Sequence, residues 1–194
     1  MNFELTHRFL LTAHDLNALL DGCNKLSTFC SRLEQQSTLH PDRYEPNKYK
    51  GDGFELFTEA LIKLSPVDNR IGIGNYKIVE GQDIGVDGSG IGFNGKPATV
   101  QVKYRGYGST KFLTANEDHL SNFVAASVLH EGVDPKDKDN MLIVTTAEGL
   151  HFFTDQEMYA GKVRCLGRKE LCSLVDDNTL FWDRFRELCG LKQC

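Results

Sequence analysis

The chain lacks the features that would indicate a membrane protein, a zinc-stabilised fold or a repeat protein. None of its 194 residues belongs to an apolar run near the roughly 18 that a membrane span needs. The apolar patch Phe9–Leu11 lies among polar residues and lacks a cleavage pattern, so we expect no signal peptide and a cytoplasmic location. The six cysteines form no C-x-x-C pair, no histidine pair has zinc-ligand spacing, and no internal repeat occurs. We therefore expect buried cysteines, with exposed thiols only near the C-terminus.

The chain also lacks an excess of positive charge. Its formal net charge is −5, whereas proteins that bind DNA mainly through its phosphates are usually basic. The overall charge therefore counts mildly against a nucleic-acid role. Basic residues do cluster locally within 43–50, 96–111 and 162–169, although such clusters are also typical of ordinary solvated surface.

Apolar periodicity divides the chain into helices and strands. Leucines and cysteines recur at three- and four-residue steps over 14–36, which predicts one helix. The polar stretch 37–50 contains two prolines, which predicts a loop. Asp52 is then expected to cap a second helix, which carries Glu55 and ends before Pro66.

Short β-branched runs then predict strands, with one long amphipathic helix between the third strand and the fourth. The predicted strands are 76–80, 84–92, 98–105, 141–145 and 163–166, and the predicted helices are 114–130, 169–175 and 179–188. The order indicates a single α/β domain with a central mixed sheet flanked by helices. We expect residues 1–48 to form an extra N-terminal helical segment and residues 49–194 to form the core.

Two of these strands carry side chains suited to chemistry. Alternation in 99–105 directs Gln101, Lys103 and Arg105 to the side away from the core. In the preceding strand, Val86 is expected to face inward, and Asp87 to face the opposite side. Pairing of the two strands through the turn at 94–97 would bring an acid, an amide oxygen and an ammonium group together.

Such a set suits phosphodiester hydrolysis with a hard divalent cation. Asp87 is the expected main metal ligand, with the side-chain oxygen of Gln101 and the backbone carbonyl of Val102 as further ligands. Lys103 would stabilise negative charge or orient the attacking hydroxide. Glu55, on the helix before the sheet, would complete the site directly or through water.

These motifs resemble a known family. The run Gly53-Phe54-Glu55, then Asp-Ile-Gly-Val-Asp at 83–87, then Gln101-Val102-Lys103 looks like the PD-(D/E)XK nuclease superfamily. It is most similar to the Mrr-like branch of restriction endonucleases, in which glutamine commonly replaces the acid of the motif. The resemblance covers roughly residues 50–109. It implies a restriction-endonuclease-like core, DNA cleavage and dependence on Mg²⁺ or Mn²⁺, with Asp87 rather than Asp83 as the metal ligand.

The sequence departs from the family pattern at two positions. Val86 stands where the family name has proline, and Gln101 lacks the charge that would strengthen metal binding, so we expect weak cation binding without DNA. Other interpretations of the residues stay open. Asp83 and Asp87 are flanked by glycines and fit turns, Glu55 fits a helix start, and Lys103 fits a half-exposed strand.

The residues after Lys103 mix aromatic and basic side chains. Tyr104, Arg105 and Lys111 lie in a glycine-broken stretch of the kind that stacks on bases and contacts phosphates. We therefore predict that these three residues contact DNA, while a solvated loop would have a similar composition.

The sequence thus favours a magnesium-dependent DNA endonuclease. It would be the nuclease part of a restriction, helicase-linked or recombination system, with a fused or separate helicase or recognition component, or a free-standing homodimer. The alternatives are a structure-specific resolvase of Holliday-type junctions and a catalytically inactive DNA-binding or assembly module with the same fold.

Overall fold

The computed structural model describes residues 4–12, 16–65, 67–80, 85–115, 120–137, 139–159 and 161–191. The helices are α1 (Phe9–Thr12), α2 (Leu16–Leu20), α3 (Leu26–Ser37), α4 (Pro46–Leu64), α5 (Phe123–Leu129), α6 (Arg168–Val175) and α7 (Thr179–Leu188), with a π-helix at Phe153–Met158. The strands are β1 (Ile73–Ile78), β2 (Gly88–Gly92), β3 (Pro97–Lys103), β4 (Met141–Thr145) and β5 (Arg164–Leu166). Within these described ranges, no helix combines the length and the apolar composition that a membrane crossing requires.

The five strands form one mixed sheet in the order β1-β2-β3-β4-β5. The pairs β1–β2 and β2–β3 are antiparallel, and the pairs β3–β4 and β4–β5 are parallel. This confirms the predicted α/β class with a central mixed sheet flanked by helices. The parallel pairing of β3 with β4 places Lys103 beside Thr145, so both strands end at the same edge of the sheet.

Each face of the sheet is covered by its own apolar core. On one face, Val100 and Val102 of β3 pack in a cluster with the aromatic residues of α4 and α7. On the other face, Ile143 of β4 packs with Val86 and with Phe123 of α5. The hydroxyl of Thr99 donates to that of Ser127 on α5 at 2.8 Å, which fixes this second layer against β3.

The helical N-terminal region differs from its prediction in two ways. The single helix predicted over 14–36 is interrupted, because α2 and α3 are separated by a turn in which Gly22 has a φ of 59°; residues 13–15 lie outside the described part. The second helix begins at Pro46, where the carboxylate of Glu45 accepts from the amides of Asn47 and Lys48. Asp52 is therefore an interior residue of α4, and its predicted role as the helix cap is wrong.

The structure also differs from the predictions in the middle of the chain. The strand predicted from residue 84 begins only at Gly88, and residues 81–84, including Asp83, lie outside the described part. Of the long helix predicted over 114–130, only α5 is helical among the described residues, and 116–119 are not described. The predicted strand 141–145 and the predicted helix 179–188 are confirmed residue for residue.

The cysteines act mainly as small packing residues. Cys23 and Cys30 are buried, and the five cysteines of the described part are free thiols. Burial raises the pKa of Cys23 to about 11 and that of Cys189 to about 12. The expectation of an exposed thiol is therefore wrong for Cys189, which is half-buried; Cys194 lies outside the described residues.

A buried carboxylate ties the N-terminal segment to α4. Glu59 has no exposed surface, and its two oxygens accept hydrogen bonds from the amide and hydroxyl of Thr6 and from the amide of His7, at 2.6 to 2.9 Å. The ammonium of Lys63, one turn further along α4, lies 2.7 Å from Glu59. The segment before α1 is thus held by charge-assisted bonds that are shielded from water.

Replacing Glu59 by alanine should strongly destabilise the fold. Removal of one partner from a buried, hydrogen-bonded ion pair costs about 3–5 kcal/mol, because the other groups lose their partner. We expect the free energy of unfolding in urea to fall by that amount. Glu80→Ala is the matched control, since Glu80 also pairs with the N-terminal segment, at Arg8, but is 60% exposed; its loss should cost less than about 1 kcal/mol. Equal effects of the two substitutions would contradict the role given to Glu59.

Candidate functional site

Asp87 is bonded directly to β3. Its carboxylate accepts a hydrogen bond from the amide of Val102 at 2.6 Å, and its own amide donates to the carbonyl of Val100 at 2.9 Å. These two bonds span Gln101, so the structure brings Asp87 against the middle of the predicted Gln-x-Lys motif. The bonding replaces regular strand pairing, because the β2–β3 ladder begins at the Gly88–Val100 pair.

The backbone of Val102 also faces Asp87. In a strand, the amide and carbonyl of one residue point to the same side. Because the Val102 amide meets the carboxylate of Asp87, the Val102 carbonyl is directed toward the Asp87 side as well. The three metal ligands expected from the sequence, Asp87, Gln101 and the Val102 carbonyl, are therefore neighbours.

Gln101 is more deeply placed than its strand pattern predicts. It is 1% exposed, and its Oε1 has no hydrogen-bond partner among the described residues. As predicted, Gln101 lies on the face of β3 opposite Val100 and Val102, but the α5 layer covers that face and buries it. Val86 is buried, as predicted, but it packs in this same layer rather than with Val100.

Lys103 follows at the end of β3. Its backbone carbonyl accepts from the hydroxyl of Thr145 at 2.7 Å, while its ammonium makes no ion pair or hydrogen bond with any described residue. An open cleft lies here between the end of β3 and the first turns of α4, and Lys103, Lys50 and Arg105 contribute to its walls. Lys50 is paired with Glu34 across 3.2 Å.

Glu55 is held by a residue that the sequence did not indicate. Its Oε2 lies 2.8 Å from Nε2 of His7, which is 6% exposed. The amide of Phe9 donates to Nδ1 of His7 at 3.0 Å, so Nδ1 is an acceptor and Nε2 carries the proton that Glu55 accepts. No hydrogen bond or ion pair joins Glu55 to another predicted site residue within the described part of the chain.

His7, Asp52 and Glu55 form a second possible metal-binding group. Each offers one ligand atom, and these atoms lie within 4.8 Å of one another. The group could hold a metal ion, but Nε2 of His7 would first have to release its proton. Asp52 is already bonded to the hydroxyl of Tyr44 and lies 2.8 Å from the ammonium of Lys48.

Tyr76 is buried beside the start of β2, where its hydroxyl and ring pack on Gly88, the residue after Asp87. Burial raises the pKa of its phenol well above the usual range, and the carboxylates of Asp87, Glu55 and Glu59 add to this increase, in that order. Its hydroxyl is buried and has no hydrogen-bond partner among the described residues.

The residues predicted to contact DNA have different environments. Tyr104 packs against Phe54, with ring centroids 5.7 Å apart, and its hydroxyl donates to Glu34 at 2.8 Å. Arg105 donates to the carbonyl of Tyr104, and its amide is bonded to Thr146. Lys111 is exposed. The ring of Tyr104 is thus already used in packing, whereas Lys111 remains accessible.

No family model matches this chain, and no curated protein or solved structure shows significant similarity to it. The resemblance to PD-(D/E)XK nucleases therefore rests on the motif residues and their placement.

The close packing of Tyr76 on Gly88 gives a test of this region. A Cβ at Gly88 would clash with the hydroxyl and ring of Tyr76, and overpacking of this kind typically costs about 1–3 kcal/mol. We expect Gly88→Ala to lower the free energy of unfolding by that amount in chemical denaturation. Gly108→Ala is the control, because no atom lies within 4 Å of a Cβ built there. Equal stability of the two variants would show that Tyr76 does not pack on Gly88.

Proposed function

We propose that the protein is a divalent-metal-dependent DNA endonuclease with a restriction-endonuclease-like core of the PD-(D/E)XK type. The observation that carries this proposal is the buried Oε1 of Gln101 beside Asp87, two residues before Lys103. Neither this oxygen nor the ammonium of Lys103 has a hydrogen-bond or ion-pair partner among the described residues. A buried polar atom without a partner is rare in folded proteins and calls for an explanation. A bound cation would supply the missing partner.

The donor set fits a hard divalent cation. Asp87 would offer a carboxylate oxygen, Gln101 an amide oxygen and Val102 a backbone carbonyl oxygen, which are the ligand types preferred by Mg²⁺ and Mn²⁺. When bound, such an ion polarises a phosphate and lowers the pKa of a coordinated water. A single carboxylate in the set would make the binding weak, so the phosphate of DNA would supply further negative charge.

The remaining residues would bind and orient the substrate. Lys103, with no competing partner among the described residues, would stabilise the negative charge that develops on the scissile phosphate. Lys50 and Arg105 line the adjoining cleft and would bind flanking phosphates. Glu55, kept oriented by His7, would act as a positioning residue through water.

Cleavage of plasmid DNA tests the proposal directly. We expect nicking or linearisation with Mg²⁺ or Mn²⁺ and none with EDTA. Lys103→Ala and Asp87→Ala should each reduce the rate by at least about 100-fold, as expected when an interaction that stabilises the transition state is removed. Lys77→Ala, which removes an exposed lysine of β1, should leave the rate unchanged.

The cleavage and binding results separate the proposed endonuclease from the alternative functions. Cleavage that persists in both site variants would place the activity elsewhere or in a contaminant. DNA binding without any divalent-dependent cleavage would indicate an inactive module. A strong preference for four-way junctions over linear duplex would indicate a resolvase with the same site.

Calorimetric titration with Mn²⁺ distinguishes the two possible metal groups. We expect Asp87→Ala to weaken Mn²⁺ binding by more than the roughly 10–100-fold that is typical for loss of an outer-shell partner. Asp52→Ala is the matched control and should retain wild-type affinity. The reverse pattern would assign the metal to the group of His7, Asp52 and Glu55 and would contradict the ligand set proposed here.

A further inference from the structure

The exposed aromatic side chains are concentrated at one edge of the sheet. Four phenylalanines are exposed in the described part of the chain. Phe112, Phe152 and Phe153 are 51%, 66% and 66% exposed and lie in the two segments that follow β3 and β4. The fourth, Phe93, follows β2 and therefore lies at the opposite end of β3 from Lys103.

Backbone hydrogen bonds join the two segments that carry this cluster. The amide of Leu113 donates to the carbonyl of Gly149, and the amide of His151 donates to the carbonyl of Leu113, both at 2.8 Å. These bonds form a parallel bridge between Leu113 and Leu150. Because β3 and β4 are parallel, both segments leave the sheet at the edge where Lys103 lies. The three rings, called here the aromatic edge, therefore lie beyond the same end of the sheet as Lys103.

The aromatic edge is anchored rather than loosely attached. The rings of Phe153 and His151 are stacked at 6.0 Å with an interplanar angle of 9°, and Phe152 meets Phe153 edge-on at 6.1 Å. Behind them, the hydroxyl of the buried Thr154 accepts from the amide of Ala115 at 3.2 Å. Rings held in this way lose little conformational entropy when a flat ligand stacks on them.

The charge around the aromatic edge suits an anionic ligand. The ammonium groups of Lys103, Lys111 and Lys162 have no ion pair or hydrogen bond with described residues, and these lysines lie before, within and after the two segments. Glu148 is paired with Arg168, which also donates to backbone carbonyls of the segment after β3. Asp155 of the π-helix accepts a hydrogen bond from the side-chain amide of Gln156.

We propose that the aromatic edge binds unpaired nucleobases of single-stranded DNA, or of a single-stranded flap or end, next to the candidate nuclease site. Stacking on exposed rings requires accessible base faces, which a duplex buries between neighbouring pairs. It contributes about 1–3 kcal/mol per base and depends little on sequence. Such binding also agrees with the net charge of −5, because stacking replaces part of the affinity that a basic duplex-binding protein obtains from phosphates.

The assignment of this strand as a substrate rests on the proposed nuclease function, but its binding can be measured without cleavage. In EDTA, fluorescence anisotropy should show tighter binding of a labelled oligothymidine than of a duplex of the same length. The double variant Phe152→Ala/Phe153→Ala should weaken oligothymidine binding by about 10-fold or more, which corresponds to about 1.4 kcal/mol. Phe93→Ala, at the other end of the sheet, should bind like the wild type.

Other results would overturn the inference. Duplex binding as tight as single-strand binding, or equal losses in the double variant and in Phe93→Ala, would show that the aromatic edge does not stack on bases. A change in oligomeric state without a change in oligothymidine binding would identify it as a protein–protein surface. If plasmid cleavage in Mg²⁺ depends on Lys103 while oligothymidine binding in EDTA is absent, the proposed nuclease function stands and this inference fails.

Discussion

The candidate site depends on the burial of β3 on both faces and at both edges. The strand pairs with β2 in one direction and with β4 in the other, and a shift by one residue would exchange the face of Val100 with the face of Gln101. Such a shift would place an amide among the aromatic residues of α4, so the register is strongly determined. Where β2 has not yet begun, the carboxylate of Asp87 accepts from the amide of Val102. An acid thereby satisfies a backbone donor that a longer strand would otherwise have bonded.

The features that could be predicted from sequence are those whose causes are local. The run Met141–Thr145 is continuously apolar, and the helix Thr179–Leu188 has an asparagine cap and a clear apolar stripe. The order of the motif residues along the chain can also be seen in the sequence. The burial of Gln101 could not be predicted, because alternation within one strand does not show whether a second helical layer covers its polar face. Likewise, the contact between His7 and Glu55 joins residues 48 positions apart, and no periodic pattern encodes such a pairing.

Hydrogen bonds connect the N-terminal segment to Glu55 on α4. Glu59 fixes the backbone at His7, the amide of Phe9 fixes the imidazole tautomer, and the imidazole then orients Glu55. The extra helical region is thus part of the environment of the candidate site, and its boundary with the core at residue 48 is a boundary in sequence rather than in packing.

The negative net charge limits how this protein can attract a polyanion. Several lysines of the described part, among them Lys63 and Lys96, have carboxylate partners, so their fields are largely cancelled beyond a few ångströms. Within the described ranges Lys103 and Lys111 have no such partner, and they lie eight residues apart along the chain near one edge of the sheet. An attraction that comes from a few local cations is short-ranged and is screened within about 8–10 Å at physiological ionic strength. Shape and stacking must then contribute to affinity, which favours a flexible strand that can fit both the cleft and the exposed rings over a rigid duplex that presents only its phosphates.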